Sequence, residues 1–304
     1  MTIRGADTRD GDSWPAARRG GAAALAIICL LLLAGNARGQ GAATATSGVQ
    51  LDENQLAREV NDPTAILTQL KLQDLYTPRN FQTSAQTNSL QAKLVLPIEP
   101  FAFMPFKQLV RTSLEMPTAA TSRGNSTTTA FGDVALFDLF ISNWPDPEKT
   151  GFGWALGPMF VFPTGGATEA GKHAWQAGPA AAAVYRGIPR LSIAFLFQDP
   201  ISFAYTRASA TPQSQMMFQP LISYTLGRGW YLKSADSTWT VNWHHGSSTT
   251  VPLSFGLGKV TKFSGPDIDT WVSGEWMAYR QYTAITPMYT VRFGLTLLFP
   301  NVTM

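Results

Sequence analysis

The sequence predicts an all-β fold: a transmembrane, antiparallel, up-and-down β-barrel of about 12 strands with a short N-terminal helical segment on the periplasmic side. Three observations lead there. The chain opens with an export leader. It is poor in charge, yet holds no apolar run long enough for a spanning helix. And apolar and polar residues alternate along nearly all of it. The stretch from Tyr289 to Phe299 shows the alternation best. Tyr289, Val291, Phe293, Leu295, Leu297 and Phe299 fall on one face, and Thr290, Arg292, Gly294 and Thr296 on the other, with Leu298 the one lapse. Strand side chains alternate between faces, so such a segment turns one greasy face to lipid and one polar face to an interior.

Residues 1–39 read as a signal peptide. Arg4, Arg9, Arg18 and Arg19 form a basic region, and Gly21 to Leu33 is an apolar run of about 13 residues, the length of a signal core and short for a spanning helix. Ala37-Arg38-Gly39 supplies small residues for cleavage near Gln40. The single cysteine, Cys29, lies inside the leader, so the mature chain has no disulfide, no thiol chemistry and no thiolate metal site. The leader also accounts for the basic balance. It carries 5 of the 23 basic groups and 3 of the 20 acidic ones, leaving 18 and 17, and nothing in that balance suggests a nucleic-acid partner. Charged residues make up 14% of the chain, against roughly 25% in soluble domains. A closed barrel suits an exported chain of this kind, because it satisfies every backbone group in lipid.

Residues 40–65 form the lead-in. After a small, polar stretch, Leu56, Val60 and the Asp62-Pro63 step mark a short helix stopped by proline. The barrel is expected over 66–300, with strands near 66–76, 87–99, 106–118, 130–142, 151–163, 176–186, 190–202, 214–226, 229–243, 250–262, 268–281 and 288–299. Near Phe131 to Ile141 both faces are apolar, and the period is blurred. Connections after odd strands are longer (77–86, 119–129, 164–175, 203–213, 282–287); Gly187-Ile188-Pro189 and Gly227-Arg228 are tight. Short periplasmic turns and longer outer loops are the outer-membrane pattern, although 143–150 and 244–249 depart from it.

Six segments, in this order, resemble the exported outer-membrane barrels of the meta-pathway phenol-degradation family, often called transporters: LAREVNDPTA at 56–65, GPMFVFPTGG at 157–166, GKHAWQAGP at 171–179, QPLISY at 219–224, VPLSFGLGKV at 251–260 and RFGLTLLFP at 292–300. The resemblance covers roughly 52–300. It implies a barrel of twelve or so strands that moves hydrophobic or aromatic compounds across the outer membrane of a Gram-negative bacterium. The implied partners are outer-membrane lipid, small apolar solutes and the barrel-assembly machinery. That machinery commonly reads a terminal aromatic residue, whereas this chain continues past Phe299 to Met304.

The inward positions collect a polar set: Lys93, Lys107, Arg111, Glu115, Gln219, Ser223, Glu275 and Arg292, with Gln91. Such residues either line a water path or form a salt-bridged network that fills a narrow lumen. Glu275 and Arg292 lie on adjacent expected strands and can pair. Thr296→Arg, facing inward, should be tolerated better than an arginine at lipid-facing Leu295.

No cofactor and no metal site is expected, and the reading is not that of an enzyme. One alternative is a lipid hydrolase at the outer rim, since His245 and Ser247 have the His-x-Ser spacing of outer-membrane phospholipases. They lie in a turn with no third group in evidence, so a polar turn explains them better. Another alternative is a structural or adhesive barrel without transport. Trp230, Tyr231, Trp239, Trp243, Trp271, Trp276, Tyr279, Tyr282 and Tyr289 crowd the last third. Interfacial girdles explain aromatics near strand ends better than an aromatic-lined site does.

Overall fold

The alternation read along the chain becomes a closed wall. A computed structural model describes residues 51–121, 125–142, 151–234, 236–243, 248–281 and 285–300. The expected leader and the His244–Ser247 turn lie outside the described residues, as does Tyr282. Among the described residues one helix, α1 (Glu53–Glu59), precedes the strands. These are β1 (Thr68–Phe81), β2 (Thr87–Ile98), β3 (Lys107–Ala120), β4 (Thr127–Thr129), β5 (Val134–Ile141), β6 (Phe152–Phe162), β7 (Ala174–Ile188), β8 (Leu191–Gln198), β9 (Ile201–Tyr205), β10 (Gln215–Gly227), β11 (Trp230–Lys233), β12 (Trp239–Asn242), β13 (Ser248–Thr261), β14 (Asp267–Arg280) and β15 (Thr286–Phe299).

All pairings are antiparallel, and β15 returns to β1, with Thr68 opposite Phe299 and Leu72 opposite Leu295. Three pairs of short strands share a stave: β4 with β5, both on β3; β8 with β9, both on β7; and β11 with β12, both between β10 and β13. The result is a closed barrel of 12 staves. Return of β15 to β1 closes the main ladder, which is what a lipid environment demands.

Three expected strands are interrupted. The stretch 190–202 breaks at Asp199-Pro200, where proline withholds a ladder donor. The stretch 229–243 breaks at 234–238. The stretch 130–142 starts only at Val134, and part of the expected loop 119–129 is strand, the end of β3 and β4. The outer connections are also shorter than expected, because β1 runs on to Phe81.

The period-two rule sorts the faces. On β13, Leu253, Phe255 and Leu257 are exposed, while Pro252, Gly256, Gly258 and Val260 are buried inside. On β14, Val272 and Trp276 point out; Asp269, Trp271, Ser273 and Glu275 point in. The outward belt continues through Leu72, Leu90, Trp154, Phe195, Ile222 and Phe293. An apolar surface that runs round the whole wall is what lipid contact requires. Tyr76, Trp175, Trp230, Trp243, Tyr279 and Tyr289 sit exposed toward the strand ends, where amphipathic rings suit a membrane interface.

The interior is filled from the short-turn end. Helix α1 starts at Asp52, whose carboxylate accepts from the Gln55 backbone N–H at 2.7 Å while the Gln55 side chain accepts from the Asp52 N–H at 2.8 Å. This reciprocal cap fixes a helix too short to hold itself. Gly229 N–H donates to Asn54 Oδ1 (3.1 Å), and Lys262 Nζ donates to Leu51 O (2.7 Å). Leu56, Ala57, Val60, Ala65 and Leu67 then pack on Tyr231, Val260 and Leu298. Leu298, the lapse in the alternation, is thus an inward residue, fully buried against this segment.

Candidate functional site

Two unlike walls face each other across the lumen. On one side Leu109, Phe137, Leu139, Ile141, Ala155, Met159, Ala180, Ala182 and Leu196, from β3 and β5–β8, form a buried apolar cluster, joined by Ile66 of the N-terminal segment. This is why 131–141 shows a blurred period: β5 turns Phe137, Leu139 and Ile141 to the apolar wall and Val134, Leu136 and Phe140, with Asp138 among them, to the other face. On the other side, β1, β2, β11, β14 and β15 carry Lys71, Lys93, Lys233, Asp269, Glu275 and Arg292, while Arg111 and Glu115 of β3 and Arg186 of β7 add charge from the apolar side.

The charged wall is built on close backbone approach. The Tyr231 ring lies over Gly258, its cross-strand partner, where an added Cβ would sit 2.3 Å from Cζ. Trp271 covers Gly294 in the same way, at 2.1 Å from Cε2. Any larger residue at either glycine displaces a ring. The rings carry polar groups in turn: Tyr231 Oη donates to Asp269 Oδ1 (2.7 Å), and the Lys233 ammonium rests 3.7 Å over the Trp271 ring.

The interruption at 234–238 matters most. This connection turns into the lumen and bridges the charged side chains. Arg292 Nη1 donates to Asp236 O at 3.0 Å, and Arg292 Nη2 to Glu275 Oε2 at 2.6 Å. Ser237 Oγ donates to the same Glu275 oxygen at 2.6 Å, and Gln219 Nε2 to Thr238 Oγ1 at 2.7 Å. Lys71, on β1, reaches Asp236 Oδ2 at 3.4 Å. Glu275, Arg292 and Lys71 stand on the neighbouring strands β14, β15 and β1 and Gln219 on β10, so these contacts make a polar floor over the charged side of the lumen.

Above the floor, toward the long loops, is a vestibule of about 420 Å³, with Asn88, Ser89, Glu115, Glu275 and Arg292 in its lining. Below it is a cavity of about 60 Å³, lined by Lys71, Lys93, Arg111, Gln219 and Asp236 and, on the apolar side, by Leu109, Phe137 and Leu196. Residues 60–65 close this cavity from the short-turn end. Arg186 holds them there: Nη1 donates to Glu59 Oε1 at 2.9 Å, and Nη2 pairs with Asp62. Burial pushes the Asp62 carboxyl above the ordinary carboxylate range, while Arg186 pulls it back.

Most of the inward residues named from the sequence fall in this arrangement. Lys93, Arg111 and Gln219 line the lower cavity, and Glu275 and Arg292 form part of the floor. Glu115 accepts from Ser89 Oγ at 2.5 Å in the vestibule. Ser223 is buried on β10, opposite Ser192 and Lys233. Lys107 does not join them. It opens β3 at the rim, half exposed, 3.8 Å from Glu99, because the lumen ends before it.

Sequence reasoning missed Lys71, Lys233, Asp236 and Asp269. A signal for Asp236 existed: Ser234-Ala235-Asp236-Ser237-Thr238 is a run of small and polar residues with no apolar partner at period two, which marks a break inside a strand. Of the aromatic cluster, Trp230, Trp243, Trp276, Tyr279 and Tyr289 are exposed toward strand ends, whereas Tyr231 and Trp271 are buried inside. Trp239 donates to Pro252 O at 3.0 Å.

Neither the family models nor the curated proteins include a match to this chain. Among solved structures, the chain is similar to the COG4313 outer membrane channel from Pseudomonas putida F1, at 11% identity and a TM-score of 0.53, over 77% of this chain and 94% of that one. The NanC porin (10% identity, TM-score 0.49, 75% and 98% covered) and the KdgM porin (8% identity, TM-score 0.45, 76% and 99% covered) are more distant. At such identity the first similarity establishes the fold, and the two others fall short of that.

Proposed function

We propose that this protein is an outer-membrane channel of a Gram-negative bacterium that passes or binds small hydrophobic compounds, aromatic ones among them. One observation carries the reading. The lumen has an apolar wall, from Leu109 to Leu196, where a path for water and sugars would be polar throughout. The resemblance to the phenol-degradation barrels and the fold shared with an outer-membrane channel support it. The fold alone would not, since barrels host many activities.

In this reading the N-terminal segment is a plug, and the Arg186 pairs with Glu59 and Asp62 are its latch. Passage requires the segment to shift, because residues 60–65 and the floor at 234–238 both cross the path. The lipid-hydrolase alternative depends on His245 and Ser247 alone, which lie outside the described residues.

The experiment compares a deletion strain with its parent for accumulation of, and tolerance to, a panel of phenols and alkylbenzenes. A changed response that is restored by the intact gene, and equally by His245→Ala, is the expected result. Release of fatty acid from lipid by the purified protein, abolished in His245→Ala, would overturn it in favour of the hydrolase. If neither assay responds, a structural barrel is the better account.

A further inference from the structure

The lower cavity holds an imbalance that the channel reading does not use. Its wall carries three cations, Lys71, Lys93 and Arg111, and two carboxylates, Asp62 and Asp236. Asp62 is engaged by Arg186, and Asp236 by Lys71. Lys93 makes no hydrogen bond or ion pair with any described residue and only shares the field of Asp236 with Lys71, Lys233 and Arg292. Arg111 Nε is buried without a hydrogen-bond partner among the described residues, and its guanidinium lies 4.1 Å over the Phe137 ring. Lys71 and Lys93 stand directly opposite each other on β1 and β2. Like charges in that position repel, and buried cations without partners are costly. A folded wall that keeps this arrangement is set up for an anion.

The other side of the same cavity is apolar. Val95, Leu109, Phe137, Leu196 and Leu221 line it. A cavity of about 60 Å³ has room for a carboxylate and a few carbons, beside apolar surface along which a longer body can lie. Inorganic anions would fill the charged half and leave the other half empty. Neutral hydrocarbons would leave Lys93 and Arg111 unpaired.

We propose that this cavity is a binding site for the carboxylate of an otherwise apolar monoacid, with Lys93 and Arg111 holding the carboxylate and the Phe137 side of the lumen holding the apolar body. The proposal deepens the channel reading, on which its physiological meaning rests, by naming a substrate class: apolar organic acids. Arg111 supplies planar donors suited to a carboxylate, and Lys93 a point charge beside it.

The test is equilibrium binding by calorimetry to the purified full chain in detergent micelles. The probes are benzoate, benzyl alcohol, benzylamine and acetate. Benzoate should bind more tightly than the other three by roughly tenfold or more, the worth of a charge-assisted contact. Lys93→Gln and Arg111→Gln should each weaken benzoate by a similar factor and leave benzyl alcohol unchanged, while Lys93→Arg retains binding. Lys107→Gln, at the rim, should have no effect. The comparison of probes on the unaltered protein decides the matter even if a variant fails to fold. Equal binding of benzoate and benzyl alcohol overturns the role of the cations. Equal binding of benzoate and acetate overturns the role of the apolar wall. Neither result touches the transport of neutral solutes, which the deletion strain reads separately. Conversely, a silent deletion strain removes the channel reading and leaves benzoate binding as the measure of the site.

Discussion

The apolar wall and the charged wall are made from the same kind of strand, in the same barrel, yet they differ in what holds them. On the apolar side the interior is side-chain packing: Leu139 is fully buried within its apolar cluster. On the charged side the interior is a chain of ion pairs and hydrogen bonds, from Lys71 through Asp236 and Arg292 to Glu275 and Ser237. The difference teaches that period-two alternation reports the contrast between the two faces of a strand, not which face is inside. Where the lumen is charged the contrast is sharp. Where the lumen is apolar it vanishes, although the strand is no less real.

The sharpest way to break the comparison is to put charge on the wrong wall. Leu139→Lys should place an unpaired cation among Leu109, Phe137 and Leu196 and lower unfolding stability in detergent by roughly 3–5 kcal/mol. Gln91→Lys, on the charged wall near the vestibule, should cost much less. Equal losses in urea titrations would mean that the two walls are not distinct environments.

Next comes the Glu275–Arg292 pair, whose two side chains are both under a tenth exposed. Removing one partner leaves a buried charge uncompensated, so Glu275→Gln and Arg292→Gln should each cost about 3 kcal/mol, and the double variant should recover part of that. Strict additivity would show that the pair is not coupled. Full recovery is not expected, because Ser237 and Asp236 also lose partners.

Facing lipid, Leu295 is 38% exposed, and Leu295→Arg should cost roughly 2–4 kcal/mol near the bilayer midplane. The expectation that Thr296→Arg is tolerated better fails on the structure: Thr296 is fully buried, and its hydroxyl donates to Asp269 Oδ2 at 3.4 Å. Inward here means packed, not wet. Folding yields into lipid vesicles for the two variants should therefore be similar, and a clear advantage for Thr296→Arg would indicate a hydrated interior.

The smallest effect is the most diagnostic. Leu298→Thr would perfect the alternation of β15, and by pattern alone it should be harmless. Because Leu298 packs on Leu56 and Val60, it should instead cost roughly 1–3 kcal/mol. A neutral result would mean that the N-terminal segment does not rest on β15.

Much of this was legible in the chain. Twelve staves, the faces of β13 and β15, the helix before Asp62-Pro63 and two tight turns, expected at 187–189 and 227–228 and found at 189–190 and 228–229, all follow from period, proline and glycine. Lys93, Arg111, Glu275 and Arg292 were named by the same alternation, whereas Lys71, Lys233, Asp236 and Asp269 were not. The break inside 229–243 was not seen, because Trp239 to Asn242 resumes a strand pattern and makes the whole look continuous. Lys107 was placed in the lumen because alternation carries no information about where along its axis a strand leaves the barrel.

The sequence by itself determined that this chain makes a barrel and, where its faces contrast, which residues share a face, since both follow from a local rule, the reversal of direction at every residue. Only the tertiary structure decided what those inward side chains meet. Arg186 finds Glu59 and Asp62 across more than a hundred residues of chain, Lys71 finds Asp236, and Lys93 shares the field of that same Asp236 without a hydrogen bond or ion pair to any described residue. Closing a sheet on itself brings together positions with no fixed spacing along the chain, so no pattern in the sequence could announce those meetings.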